Sequence, residues 1–511
     1  MFEAAKVGRE LSKTAWKEQV PELRTRLLEA QRLARDAGIP IVVLVAGLEG
    51  AGKGEVVNRL TEWLDGRNLQ VHAFWDETDE ERDRPRYWRF WRTLPAAGEI
   101  AVLFGGWYQC PIEQRVLDGW TDADLEQELR RIREFERMLI ADGALIVKFW
   151  YHFSAKDQRK RLKELARDDR SRWKMLPKKA RLAEHYQAFE HTADLVVRRT
   201  DIGSAPWYIV EATDARYRDL TTGNTLLRAI ETRLSEGTQE GPEDTHYHAP
   251  TPLPRSEAQV TIIDKLDLDK SIPRDTYRDR LRHLQGELNE LTWQAYKAKR
   301  SSILVFEGVD AAGKGGAIRR LTNAVDARLR RVISIAAPTD EEKAHHYLWR
   351  FWRHIPRTGR MTVFDRSWYG RVLVERVEGF TSHRRWQRAY LEINDFEEQL
   401  VGSGAILHKF WLQISKDEQL ARFKAREETA YKRHKITDED WRNREKWDQY
   451  KVAVNEMLIR TGTEYAPWSL IPGNDKLHAR IEVLQTVCDR LKATLDGKSS
   501  DTAVKPHSKR P

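Results

Sequence analysis

A chain of 511 residues, 40% hydrophobic and 33% charged, has room for two or three domains with ordinary cores. No apolar run approaches the ~20 residues that span a bilayer, and Met1-Phe2-Glu3-Ala4-Ala5-Lys6 lacks the apolar core of a secretory signal. The net charge of +9 favours an anionic partner such as nucleic acid, a phosphate polymer or an anionic membrane, although a solvated basic surface has the same composition. Cys110 and Cys488 are the only cysteines, which excludes a four-cysteine zinc site and suits a reducing cytoplasm.

The apolar spacing of Leu23, Leu27, Leu28, Ala30, Leu33 and Ala34 predicts helix over the first 37 residues, stopped by Gly38-Ile39-Pro40. Ile41 to Val45 is a continuous apolar strand of the kind buried in parallel sheets. Residues 235–254, rich in Gly, Pro and polar side chains, predict an exposed linker. His246 and His248 within it are stray histidines rather than metal ligands. The plan then repeats: helix from Tyr277 to Lys299, then strands Ile303 to Phe306, Val332 to Ala336, Met361 to Phe364, Ile406 to Leu412 and Trp468 to Ile471. Strand and helix in alternation predict a parallel α/β sheet flanked by helices. Gly497 to Pro511 has few apolar residues and predicts a disordered tail.

The repetition is literal. Gly47-Leu-Glu-Gly-Ala-Gly-Lys53-Gly54 faces Gly308-Val-Asp-Ala-Ala-Gly-Lys314-Gly315 at an offset of 261 residues, the interval from Gly47 to Gly308. Trp88-Arg-Phe-Trp-Arg92 faces Trp349-Arg-Phe-Trp-Arg353, Lys148-Phe-Trp150 faces Lys409-Phe-Trp411, and Pro206-Trp207 faces Pro467-Trp468, all at that offset. A duplication explains the constant register. Many of the nineteen tryptophans recur at matched positions, which assigns most of them to cores and cleft walls. The predicted division is 1–240, a linker at 241–256, 257–495 and a tail at 496–511.

Strand, then Gly308-x4-Gly313-Lys314, then helix is the phosphate-binding loop (Walker A pattern) in its required setting. Glycines let backbone N–H groups turn towards phosphate oxygens, the helix N-terminus adds positive potential, and Lys314 adds a point charge. The hydroxyl residue that normally follows the lysine and binds Mg2+ is Gly315, so Asp310 is the candidate replacement. Asp365 should emerge at the carboxyl end of the strand beside the loop, where open parallel sheets bind ligands. With Arg366 and Arg371 it makes a group suited to holding Mg2+ and phosphate oxygens; a purely structural Asp–Arg pair is the plainer alternative. Arg422, Lys424, Arg426, Lys432, Arg433 and Lys435 form a basic segment. It reads either as a lid closing cations over phosphates or as an ordinary solvated helix face.

At these residues the chain resembles the polyphosphate kinase 2 family. The resemblance rests on Glu307-Gly-Val-Asp310-Ala-Ala-Gly-Lys314-Gly-Gly316, Pro338-Thr-Asp-Glu-Glu342, Phe364-Asp-Arg-Ser-Trp-Tyr369, Val374-Glu-Arg-Val-Glu-Gly-Phe380, Lys409-Phe-Trp-Leu412, Pro467-Trp468 and Asp475-Lys476. It implies tandem kinase-like domains with a helical lid, Mg2+ as cofactor, and inorganic polyphosphate as phosphoryl donor to a nucleotide. The tandem arrangement resembles the branch that converts AMP to ADP. By the same resemblance, Asp310, Lys314, Asp365, Arg366 and Arg371 are catalytic, and Asp310 and Asp365 are the metal positions. Gly308, Ala311, Ala312, Gly313, Lys314, Gly315, Gly316, Arg422, Arg426 and Arg433 bind phosphates. No nucleic acid or membrane partner is expected, and the first repeat is expected to serve as a pseudo-dimer partner in a cytoplasmic enzyme, itself open to homo-oligomerisation. An NTP-dependent nucleotide kinase and a non-catalytic polyanion-binding protein are the rival readings.

The first repeat departs from the pattern. Glu49 stands for Asp310, Glu55 for Gly316, Phe104 for Asp365, Gly105 for Arg366, Cys110 for Arg371 and Gln114 for Glu375, while Lys53 is kept.

Overall fold

The computed structural model describes residues 1–167, 177–237, 261–429 and 436–497. The expected linker 241–256 with His246 and His248, nearly all of the expected tail, and Lys432, Arg433 and Lys435 lie outside the described residues. The chain divides into two compact units.

The first unit holds five parallel strands, β1 (Ile41–Gly47), β2 (Leu69–Ala73), β3 (Ile100–Phe104), β4 (Leu145–His152) and β5 (Trp207–Glu211), in the order β2-β3-β1-β4-β5. The second repeats this with β6 (Ser302–Gly308), β7 (Arg330–Ser334), β8 (Met361–Asp365), β9 (Ile406–Gln413) and β10 (Trp468–Pro472), in the order β10-β9-β6-β8-β7, again all parallel. Central strands β1 and β6 are continuous apolar runs because both faces are covered by helices; Val43, Leu304, Val305 and Phe306 are fully buried. Each such side chain stabilises the fold by about 1.5–3 kcal/mol.

In the second unit the helices Arg274–Lys297 and Lys476–Leu495 pack through Leu284, Leu288, Val487 and Leu491. The chain leaves β6 towards β7 and β8 on one side and reaches β9 on the other. That reversal opens a crevice at the carboxyl end of β6, the place where such sheets bind ligands.

Three expectations shift. The opening helix is Lys13–Asp36, capped by the Ser12 hydroxyl on the Ala15 N–H, and Phe2–Ala5 is a separate 3-10 turn. Leu28 and Leu33 point outward, at 43% and 42% exposure. The strand expected at Val332 to Ala336 is Arg330–Ser334. It is a sheet edge, so its weak alternation marks register poorly.

Each unit also takes in a short segment numbered with the other repeat. The second includes Thr78–Trp88 and the first includes Asp340–His346. Within the second unit Asp83 accepts two hydrogen bonds from the Arg357 guanidinium, at 2.8 and 2.6 Å, and one from the Thr358 hydroxyl at 2.9 Å. Among the described residues no helix is long and apolar enough to cross a membrane.

Candidate active site

The loop after β6 turns back sharply. Gly308 has φ +151°, and a Cβ there would lie 2.4 Å from the Leu412 carbonyl oxygen; Gly313, with φ +109°, starts the helix Lys314–Thr322. The Lys314 ammonium donates to the Gly308 carbonyl at 2.6 Å and forms no salt bridge among the described residues. A Cβ at Gly315 would meet nothing within 4 Å, so packing does not exclude a hydroxyl residue there.

Strand register brings the acids together. Phe306 on β6 pairs with Asp365 on β8, so Asp365 stands level with the start of the loop. Asp310, Lys314, Gly315, Asp365, Arg366 and Arg426 line one cavity of about 630 Å3. Arg366 contacts the Asp310 carboxylate at 3.4 Å. Its guanidinium pKa is raised, because Asp310, Glu307, Glu439 and Asp365 outweigh the effect of burial.

Two further expected residues sit differently. Arg371 does not line this cavity; it is bound to Glu375 at 2.9 Å and Thr381 at 2.9 Å and lies over the Tyr347 ring. Arg422 is buried and braces the loop, donating to the carbonyls of Ala311, Gly473 and Asn474 while paired with Glu418.

A groove on the other side of the loop joins the expected Arg426 to two cations given no role by the sequence, Lys476 and Arg480. It is lined by Gly313, Gly316, Arg426, Lys476, Ala479 and Arg480. The Lys476 pKa is lowered, by burial first and by Arg422, Arg480 and Arg426 besides. A site whose cations repel one another is arranged for a polyanion. In the first repeat the matching positions are Leu165 for Arg426, Ala215 for Lys476, Arg218 for Ala479 and Asp219 for Arg480.

The first repeat's loop is closed from within. Lys53 is buried against Glu49 at 3.0 Å and the Gly47 carbonyl at 2.7 Å. Arg218 fills the groove so closely that a Cβ on Gly52 would lie 1.7 Å from its guanidinium, which pairs with Glu55 at 3.1 Å and Asp219 at 2.8 Å. Carboxylates of the chain itself neutralise the cations that phosphate would need.

Glu307 also escaped local reading. It is buried, its pKa is raised by desolvation and opposed by Lys314, and it accepts from the Ser367 hydroxyl at 2.8 Å. The first repeat has Ala46 and Gly106 at these two positions.

Known proteins match the chain along nearly its whole length. Polyphosphate kinase 2 matches residues 10–238 and again 271–499. The chain belongs to the polyphosphate kinase 2 family. A polyphosphate:AMP phosphotransferase of Pseudomonas aeruginosa is 49% identical over 96% of this chain and 99% of its own length. One of Acinetobacter johnsonii is 39% identical over 89% and 92%. A crystal structure from Pseudomonas aeruginosa PA01 assigned to polyphosphate kinase 2 superposes with a TM-score of 0.85 at 47% identity, covering 97% of this chain and 99% of that one. Both repeats are therefore polyphosphate kinase 2 units, and they differ in the side chains around the loop.

Proposed function

We propose that this chain transfers a phosphoryl group from inorganic polyphosphate to AMP, yielding ADP, and that its second repeat alone performs the chemistry. The observation that carries the reading is the pairing of a carboxylate-and-cation cavity at the end of β6 with a groove behind the same loop lined by Arg426, Lys476 and Arg480, where the first repeat has Phe104 and Gly105 for Asp365 and Arg366 and Leu165, Ala215 and Asp219 for the three groove cations. The relatives that match the whole chain bear the name of this activity.

The groove past Gly316 suits a chain of phosphates. On the opposite side Val309, Leu373, Val374, Trp411, Trp447 and Tyr450 form an apolar recess beside Asp310 and Arg366, suited to a nucleoside. AMP phosphate, with a second pKa near ~6, is largely dianionic at neutrality and needs no strong base. One of its oxygens attacks the terminal phosphorus, the P–O bond to the chain breaks, and the shortened polyphosphate leaves with the electron pair. Lys314 and Arg366 offset the charge that spreads over the transferring group.

Magnesium fits this site as a shared ion. No cluster of three or more His, Cys, Asp or Glu side chains able to hold a metal occurs among the described residues. Asp310 and Asp365 offer two carboxylates, the number with which Mg2+ is commonly held when substrate phosphates supply the rest. Bound there, the ion would neutralise phosphate oxygens and orient them. The two scattered thiols suit a reducing cytoplasm.

The test is product analysis of purified protein with Mg2+, either polyphosphate or ATP as donor, and either AMP or ADP as acceptor. ADP formed from polyphosphate and AMP, and abolished by chelator, is the expected result; faster transfer from ATP would replace this reading with an NTP-dependent kinase. Donor binding should also weaken steeply with salt, because each phosphate held releases condensed counterions. AMP binding should weaken less. Arg426→Ala with Arg480→Ala should flatten the donor's salt dependence, and an unchanged slope would move the polymer off this groove. The first repeat is proposed as a structural partner. Residues 257–511 alone lack Thr78–Trp88 and should melt at lower temperature than the full chain, which calorimetry checks.

A further inference from the structure

Asp310 is held by more than the loop. The side-chain amide of Asn443, on the helix Asp438–Glu445, donates to one carboxylate oxygen of Asp310 at 2.9 Å. The Asn443 carbonyl in turn accepts from the Tyr450 hydroxyl at 3.1 Å. Among the described residues the other Asp310 oxygen meets only the Arg366 guanidinium, at 3.4 Å. The helix itself is latched, because Glu378, with its side chain 4% exposed, takes Arg442 at 2.9 Å and Lys446 at 2.8 Å.

The duplication separates scaffold from device. Gln419 donates to the Asp310 backbone carbonyl at 3.2 Å, and its counterpart Gln158 does the same to Glu49 at 3.0 Å. That contact survives in both repeats and belongs to the fold. Both side-chain partners of the Asp310 carboxylate differ, Asn443 being matched by Leu182 and Arg366 by Gly105, and so does Tyr450 behind Asn443, matched by Phe189. Glu378 is matched by Leu117. An amide–hydroxyl pair in one repeat is an apolar pair in the other, and it changes together with the carboxylate it touches.

The chemistry gives the pair a task. A lone aspartate carboxylate rotates freely about its last bond. One neutral N–H on one oxygen stops that rotation and turns the other oxygen to a defined direction. An amide does so without bringing a positive charge that a cation would have to displace. Partners of this kind orient metal ligands and raise affinity.

We propose that Asn443, braced by the Tyr450 hydroxyl, is a positioning residue that fixes the Asp310 carboxylate for a divalent cation and so couples seating of the 438–445 helix to metal loading. The inference rests on the reading of Asp310 as a metal-binding carboxylate.

The experiment is Mn2+ binding to the full-length protein, followed by electron paramagnetic resonance with polyphosphate present and AMP absent, so that no turnover is needed. Asn443→Leu, which installs the first repeat's residue, should weaken Mn2+ binding by about tenfold. Tyr450→Phe should weaken it less, and Asn443→Gln, which keeps an amide, should recover part of the loss. In steady-state assays at saturating AMP, Asn443→Leu should raise the Mg2+ concentration for half-maximal rate and Asn443→Gln should recover part of that shift, a rescue that a loss of packing alone would not produce. Wild-type Mn2+ affinity in Asn443→Leu would overturn the proposal. So would a fall in kcat with unchanged metal dependence. If Asn443→Leu fails to fold, Tyr450→Phe carries the same test, and unaltered Mn2+ affinity there overturns the bracing role. Failure of the AMP-phosphotransferase reading would show separately, as absence of ADP with wild-type protein.

Discussion

Arg366→Gly is expected to lower turnover by about a hundredfold or more, the scale of losing one preorganised electrostatic group, without lowering stability. Arg366 sits at φ +64°, a left-handed conformation, and Gly105 occupies the same turn at φ +92° in the first repeat. An L-residue pays roughly 1–2 kcal/mol there. Glycine would remove that strain and lose about 0.4–1 kcal/mol through a freer unfolded chain, so the relief at least offsets the loss. The second repeat thus tolerates strain to keep a guanidinium beside Asp310, and the first has relaxed it. Lys314→Ala and Asp365→Asn should fall with Arg366→Gly. Lys53→Ala should leave most turnover intact, because Lys53 is already consumed by Glu49. Turnover measured beside thermal melting decides the matter. Comparable losses at Lys53 and Lys314 would mean two working sites, and a large drop in melting temperature for Arg366→Gly would make the arginine a structural residue.

What could be read in advance follows physical range. The central strands were legible because a run such as Ile41 to Val45 has one stable place, between two layers of helix. The loop, Asp310 and Lys314 were legible because they lie within seven residues, from Gly308 to Lys314. Asp365 was legible because it ends an apolar strand. Arg480 was not, and Lys476 entered only as a motif residue without a role, since both come from a helix that only the folded sheet carries to the loop. Asn443 was missed for the same reason. Traces of all three existed in the duplication, where Ala215, Asp219 and Leu182 stand opposite them, but a difference between repeats gains meaning only when the neighbours are known. Arg371 shows the converse: local spacing put it with Asp365, while its side chain turns to Glu375 and Thr381.

Lys409 carries a different lesson and the largest expected effect on stability. Its ammonium is fully buried on β9 and bound to Glu397 at 2.7 Å, the Thr461 carbonyl at 2.6 Å and the Tyr369 hydroxyl at 3.0 Å; Trp368 and Tyr369 both donate to Glu397 as well. Burial lowers the Lys409 pKa and Glu397 opposes the shift. The first repeat has the same arrangement: Lys148 with Glu136 at 2.8 Å, the Thr200 carbonyl at 2.6 Å and Tyr108 at 3.3 Å, with Trp107 and Tyr108 on Glu136. A network kept intact where the phosphate site has been dismantled serves the fold and not the reaction. Removing one member of a buried, hydrogen-bonded pair strands the other and costs about 3–5 kcal/mol. Glu397→Ala and Glu136→Ala should therefore each destabilise their own unit by that order, read as a shifted transition in urea unfolding. Folded Glu136→Ala protein should retain its kcat, since its unit contributes no chemistry. A loss below about 1 kcal/mol in both, the level of an exposed pair, would sink the structural assignment. Lost turnover in Glu397→Ala with unchanged unfolding would instead place Lys409 in the reaction.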